Sequence, residues 1–288
     1  SNNNLDFVSG PNYRYLAAPT VAALSVATGP VRGGTVVSVS GTNFDVSGPS
    51  GYVKCLFGTR EVTASASSNT TWIICTSPAG SAGAVAVKLS FSNGVDYTPT
   101  STTFTYYADQ TVSSISPVNG GVGGGTNVTV TGSGFAGATQ CKFGSTAVAT
   151  ATVVNGQTVM CLSPVGSAGS VSVEVSQNGL DYTQDGVRFE YQATATVTAV
   201  YPVQGTDAGG TTLVVTGTNF ADGPLLYCKL GSLAASQGTW LSSTSVRCVT
   251  PASGSTGNAT VQISNNNLDF VSGPNYRYLA APTVAALS

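Results

Sequence analysis

The chain has 288 residues, a formal net charge of −2, 41% hydrophobic and only 8% charged residues, and no histidine. Ten basic residues against 12 acidic ones exclude the cationic surplus of a nucleic-acid binder, so no nucleic-acid partner is expected. Without histidine the usual general base, the usual zinc ligand and the Ser/His and Cys/His nucleophile pairs are missing, and neither catalysis nor a metal or cofactor is expected. An ordinary soluble domain is about 25% charged. A surface this poor in charge must be wetted by Ser, Thr, Asn and Gln or by attached sugar. No stretch approaches the roughly 18 apolar residues of a membrane span. Ser1-Asn2-Asn3-Asn4 is neither a signal peptide nor a start, and the chain reads as a piece of something longer.

In chain order, the first 25 residues, SNNNLDFVSGPNYRYLAAPTVAALS, recur letter for letter as residues 264–288, an offset of 263. A shorter period lies inside it: Cys55, Cys141 and Cys228 are 86 and 87 residues apart, and each is followed 20 positions later by Cys75, Cys161 or Cys248. Each unit opens on GGTVVSVSGTNF (33–44), GGTNVTVTGSGF (124–135) or GGTTLVVTGTNF (209–220), a glycine turn followed by period-two alternation. Val37/Val39, Val128/Val130 and Leu213/Val215 are predicted to face the core. Next comes the first-cysteine strand, CLFG, CKFG or CKLG, and then the second cysteine with its proline, CTSP, CLSP or CVTP. An alternating strand, a turn and an Asp-aromatic pair follow in VAVKLSFSNGVDYT, VSVEVSQNGLDYT and ATVQISNNNLDFV. Each unit closes on Phe104/Tyr106, Phe189/Tyr191 or Tyr276/Tyr278. No helical period persists, and seven or so short strands per unit predict an antiparallel β-sandwich.

The ordered run of Gly-Gly-Thr, Gly-x-x-Phe, Cys-x-Phe-Gly, Cys-x-x-Pro, Asn-Gly-x-Asp-Tyr and Phe-x-Tyr resembles the IPT/TIG domain and covers essentially the whole chain. The resemblance implies an all-β protein of three tandem immunoglobulin-like sandwiches arranged end to end, with an extracellular or interaction role. Expected boundaries are 18–108, 109–193 and 194–280. Residues 1–17 correspond to the last strands of a preceding third-type unit, and 281–288 to the first strand of the next block. Departures are Val26 where the other units have Pro117 and Pro202, Asn267-Leu268 in place of Asn-Gly, and Tyr276 in place of phenylalanine.

Three cysteine pairs at one spacing predict a disulfide in each unit, Cys55 with Cys75, Cys141 with Cys161 and Cys228 with Cys248, each worth roughly 3 kcal/mol in the chain-entropy model. Buried free thiols fit the same spacing. Oxidised pairs imply a secreted or surface location. Three sequons, at Asn69, Asn127 and Asn258, agree with it, and all three are expected to be accessible and to carry covalent glycans.

Other motifs carry less. Gly132 to Gly137 matches a dinucleotide fingerprint but precedes a strand, not a helix. Asp96, Asp181 and Asp269 recur once per unit, as expected of turn residues bonding nearby amides. Trp72 and Trp240 are expected to pack in the core or just beneath the surface, with sugar stacking the lesser reading. The loop DVSGPSGY (45–52) is the longest of its kind and is expected to pack on a neighbouring domain in preference to a partner. Junctions of about five residues, YADQT and QATAT, exclude free spacers. The expected partners are further copies of the three-domain block, joined head to tail in a fibre or stalk. A receptor or adhesin ectodomain with a ligand-binding tip is the alternative, and a carbohydrate-binding module comes third.

Overall fold

The computed structural model describes residues 17–65, 70–99, 102–145 and 147–280. The expectations for Asn69 and for the duplicated ends 1–16 and 281–288 lie outside these. The chain forms two compact units, the first running to Asp109 and the second starting at Gln110 and containing the middle and third domains. Among the described residues the only helical element is a single 3-10 turn, Phe135–Gly137. No described helix is long and apolar enough to cross a membrane.

Every domain is an immunoglobulin-like β-sandwich. In the first, the antiparallel strands Thr20–Leu24, Val36–Thr42 and Trp72–Thr76 form one sheet. The other contains Thr28–Pro30, Thr103–Tyr107, Gly83–Ser90, Lys54–Phe57 and Arg60–Thr63, in that order. The opening strand changes sheets, so that Thr28–Pro30 runs parallel to the closing strand Thr103–Tyr107. The middle and third domains make the same change through cis peptide bonds at Ser116-Pro117 and Tyr201-Pro202, and the first makes it with Val26 in the proline's place.

Period-two alternation places the predicted residues where the sheets meet. Val37, Val39, Val128, Val130, Leu213 and Val215 are all fully buried. Each domain has its own cluster around one cystine, Cys55–Cys75, Cys141–Cys161 or Cys228–Cys248, with Cα atoms 6.3, 6.3 and 6.0 Å apart. In the first and third domains the cystine joins a strand of one sheet to a strand of the other, in the middle domain it joins two strands of one sheet, and in every domain an aromatic of the closing strand packs edge-on over its neighbour. Phe104 against Tyr106, Phe189 against Tyr191 and Tyr276 against Tyr278 all have centroids 5.0–5.1 Å apart.

Two sequence elements that looked independent meet in each domain. The closing tyrosine donates its hydroxyl to the carbonyl of the Cys-x-x-Pro proline: Tyr106 to Pro78 at 2.7 Å, Tyr191 to Pro164 at 2.7 Å, and Tyr278 to Pro251 at 2.9 Å. Burial pushes all three phenols above their ordinary range. The first glycine of Gly-Gly-Thr lies against the same proline segment with a left-handed backbone. At Gly124, φ is +70° and a Cβ would come within 2.6 Å of the Pro164 carbonyl carbon. Only glycine satisfies both demands.

Candidate functional site

The turn between the last two strands of the third domain reaches the middle domain. Ser264 ends the strand Gly257–Ser264, and Asn266 then folds the chain back, its Oδ1 accepting from the amides of Leu268 at 3.0 Å and Asp269 at 2.8 Å. Asn267 takes a left-handed φ of +60°, which asparagine tolerates and which Gly179 supplies in the middle domain. The departure from Asn-Gly therefore leaves the turn intact. The expectation that the recurring aspartates bond the turn amides is corrected here, because the asparagine three positions earlier does so. Asn178 plays that part in the middle domain, accepting from Leu180 and Asp181 at 3.0 and 2.9 Å.

Relieved of that work, Asp269 points outward. Its Oδ2 accepts from Asn266 Nδ2 at 2.7 Å and from Thr126 Oγ1 of the middle domain at 2.6 Å. Asn266 Nδ2 also donates to the main-chain carbonyl of Asn119 at 3.1 Å. Thr126 is completely buried, and a methyl on Gly120 would overlap both its Oγ1 and the ring tip of Phe189. Gly120, Thr126 and Phe189 thus form a socket at one pole of the middle domain, and the Asp269 turn fills it. A cavity of about 50 Å³ lined by Asn119, Gly120, Gln192, Ala195 and Asn266 lies beside the contact, and Asn119 Oδ1 is buried there without a protein partner. A charge-assisted bond across so short a connection makes this junction an articulated contact with a set geometry, not a loose tether. Nothing in the one-dimensional pattern pairs Thr126 with Asp269, 143 positions apart. The one available signal was the constant threonine after Gly-Gly, which the alternating strand does not need.

The other predicted positions are dispersed. Asn127 opens the strand Asn127–Ser133 and Asn258 lies near the start of Gly257–Ser264; both side chains are exposed. Val128, beside Asn127, faces the core. Trp72 and Trp240 are 39% and 38% exposed, which overturns their placement in the core or just beneath the surface. Trp72 heads its strand, and Trp240 is held at the surface by donating Nε1 to the Phe220 carbonyl at 3.0 Å. In the loop 45–52, Val46 packs against the core of its own domain, as does the adjacent Val53, while Tyr52 is 37% exposed. The loop lines a cleft of about 160 Å³ with Ala64 and Ile73. After Gly132 the chain makes the short Phe135–Gly137 turn and then the strand Gln140–Phe143, so the glycine run opens no helix that would cradle a phosphate. Among the described residues no three carboxylate or cysteine side chains gather in a metal-binding group.

The pattern of the IPT/TIG domain matches residues 19–106, 111–191 and 195–278. Fibrocystin-L of Mus musculus is 31% identical over 244 residues, which is 82% of this chain and 5% of that protein. Its Homo sapiens counterpart is 29% identical over 254 residues, covering 84% of this chain and 6% of the relative. The chain therefore spans about a twentieth of the length of these relatives. The extracellular region of plexin A4 superposes with a TM-score of 0.46 at 20% identity, over 96% of this chain and 26% of that one. Three matched segments cover nearly the whole sequence, and the chain belongs to the IPT/TIG domain family.

Proposed function

We infer that the chain is a segment of an extracellular fibre or stalk, in which a non-enzymatic three-domain block of IPT/TIG sandwiches repeats head to tail. The observation that carries this reading is the identity of residues 1–25 with 264–288, a period of three domains. The bonded junction between the middle and third domains supports it, because a load-bearing array needs domain contacts that hold their geometry. Three intradomain cystines favour a secreted or cell-surface location, since reducing compartments keep thiols free. Exposed Asn127 and Asn258, and Asn69 by its sequon, are the proposed glycan sites, and sugar there would supply solvation that the sparse charge does not. The proposed partners are further copies of the block and covalent glycans, with no nucleic acid.

A second reading is a cell-surface receptor or adhesin ectodomain that spaces a ligand-binding tip. Partly exposed Tyr52, in the first domain's longer version of a loop that all three domains have, favours it. Electron microscopy of native material separates the two. Long unbranched fibres repeating every three domains support the fibre, and short rods ending in a distinct head support the receptor. On a denaturing, reducing gel of native material, a species near the 28.8 kDa of this chain would overturn a continuous repeating polypeptide.

A further inference from the structure

The socket that receives Asp269 is built three times. Gly29, Thr35 and Phe104 converge in the first domain, Gly120, Thr126 and Phe189 in the middle one, and Gly205, Thr211 and Tyr276 in the third. In each, a methyl on the glycine would overlap the threonine Oγ1 and the tip of the aromatic ring. The third socket differs from the middle one in two respects. It is open: Thr211 and Gly205 are partly exposed and Gln204 is exposed, whereas Thr126 and Gly120 are buried. It also carries an additional donor. Tyr276 is completely buried, and its hydroxyl stands where Phe189 ends in a C–H, without a hydrogen-bond partner. A buried hydroxyl left unpaired is costly, and a carboxylate is the strongest acceptor that would relieve it.

A matching acceptor is present in the first domain. Asp96 ends the turn equivalent to that of Asp269, is exposed, and among the described residues its carboxylate accepts no hydrogen bond. Its turn is one residue longer: Asn93 stands three positions before Asp96, as Asn178 and Asn266 do before their aspartates, but it is exposed, and Ser92 Oγ accepts from the Asp96 amide at 2.8 Å instead. The exposed carboxylate of that turn and the unpaired hydroxyl of this socket are complementary.

The geometry points to the third domain's pole as a docking site for the Ser92–Asp96 turn of a second copy of this chain, with Asp96 accepting from Thr211 Oγ1 and Tyr276 Oη. The assignment rests on the head-to-tail reading above and names its contact. Sedimentation of the 288-residue chain across a concentration series tests it, with Tyr276→Phe and Asp96→Ala as variants. Tyr276→Phe restores the residue that the other two sockets contain, so the fold is retained. The wild-type chain is expected to self-associate, and each variant to weaken association by roughly tenfold. The double variant is expected to lose less than the sum of the two, because both remove one bond. A chain that stays monomeric throughout, or association that both variants leave unchanged, overturns the contact. A photo-crosslinking residue at Gln204 identifies the occupant: adducts with residues 92–96 of a second copy support the assignment, and adducts with the Asp181 or Asp269 turns overturn it. Native filaments seen by microscopy alongside a negative sedimentation result would leave the fibre reading standing and reject this contact alone.

Discussion

The middle and third domains diverge where the chain crosses from one sheet to the other. In the middle domain Ala147–Asn155 is one strand: residues from Ala147 to Thr150 pair with Gln140–Phe143, and those from Ala151 onward pair with Thr158–Leu162. All eight strands therefore join in a single folded-over sheet. In the third domain the corresponding stretch is broken at Gly238 into Ser236–Gln237 and Thr239–Ser242, leaving two separate sheets of five and four strands. Both domains nevertheless bury the same kinds of residue around the same cystine. The inward-facing positions define the sandwich, and the crossing strand is free to be continuous or cut. That freedom is what lets three copies of one scaffold present different edges.

Emptying the core is the harshest way to ask whether the two domains stand alone. Phe189→Ala removes a fully buried ring that packs edge-on against Phe143 and Tyr191, and is expected to cost about 3–5 kcal/mol. Because the cores of the middle and third domains are separate clusters, calorimetry should show the middle domain melting early while the third keeps most of its transition. A single transition shifted as a whole would mean that the junction makes the pair one folding unit.

Gly238→Ala attacks the break itself. A methyl there would lie 3.0 Å from Val246 Cγ1 and 3.1 Å from Cys228 Sγ, both buried, so overpacking of about 1–3 kcal/mol is expected in denaturant titrations. Alanine introduced at Thr152, which lies within the middle domain's continuous strand, meets no such crowding and should cost less than about 0.5 kcal/mol. Equal losses at the two positions would remove the steric reason for the cut.

These differences also mark what could be read from the residues alone. Alternation reports which way a side chain faces, and it placed Val37, Val128 and Leu213 in their cores, as the structure does. The count of short strands already implied a sandwich, and the family pattern added its immunoglobulin-like form. Alternation does not report contacts across long separations, so the pairing of Thr126 with Asp269 and of the closing tyrosines with the proline carbonyls was invisible. The expectation for Trp72 and Trp240 rested on ring size instead: in the strand Trp72–Thr76 alternation itself turns Trp72 outward, opposite Ile73 and Cys75, and Trp240 sits at an irregular pairing where alternation lapses. Continuous and broken crossing strands were equally opaque, because the polarity of AVATATVVN and LAASQGTWLS does not report where a strand leaves one partner for the next.

The two aspartate turns offer a gentler comparison. Asp269→Ala leaves Thr126 Oγ1 buried without its acceptor and is expected to cost about 1–2 kcal/mol, read as lost coupling between the middle and third domains in equilibrium denaturation. Asp96→Ala, at an exposed carboxylate, should change the stability of an isolated chain by less than about 0.5 kcal/mol. If Asp269→Ala is equally silent, the junction is held by packing alone and the socket has no energetic role.

The smallest change isolates the sockets themselves. Tyr276→Phe deletes a buried hydroxyl that has no partner within the chain, and the middle domain shows that phenylalanine fits the same site. The isolated chain should therefore gain up to about 1 kcal/mol, because the desolvated hydroxyl is removed with no bond lost. The substitution also acts on Tyr278, whose phenol is raised first by burial and then by the neighbouring Tyr276. A phenol raised by folding contributes stability that is fully present below the unfolded value of about 10 and is lost as pH rises through the folded value. With Tyr276 gone, the alkaline loss of the third domain should still begin near the unfolded value of about 10 but be smaller and complete at slightly lower pH, while that of the middle domain, where Tyr191 is raised by burial alone, should not move. A variant that is more stable on its own yet associates less would separate the two roles of one oxygen: a liability inside a single chain, and a donor once a carboxylate is docked against it.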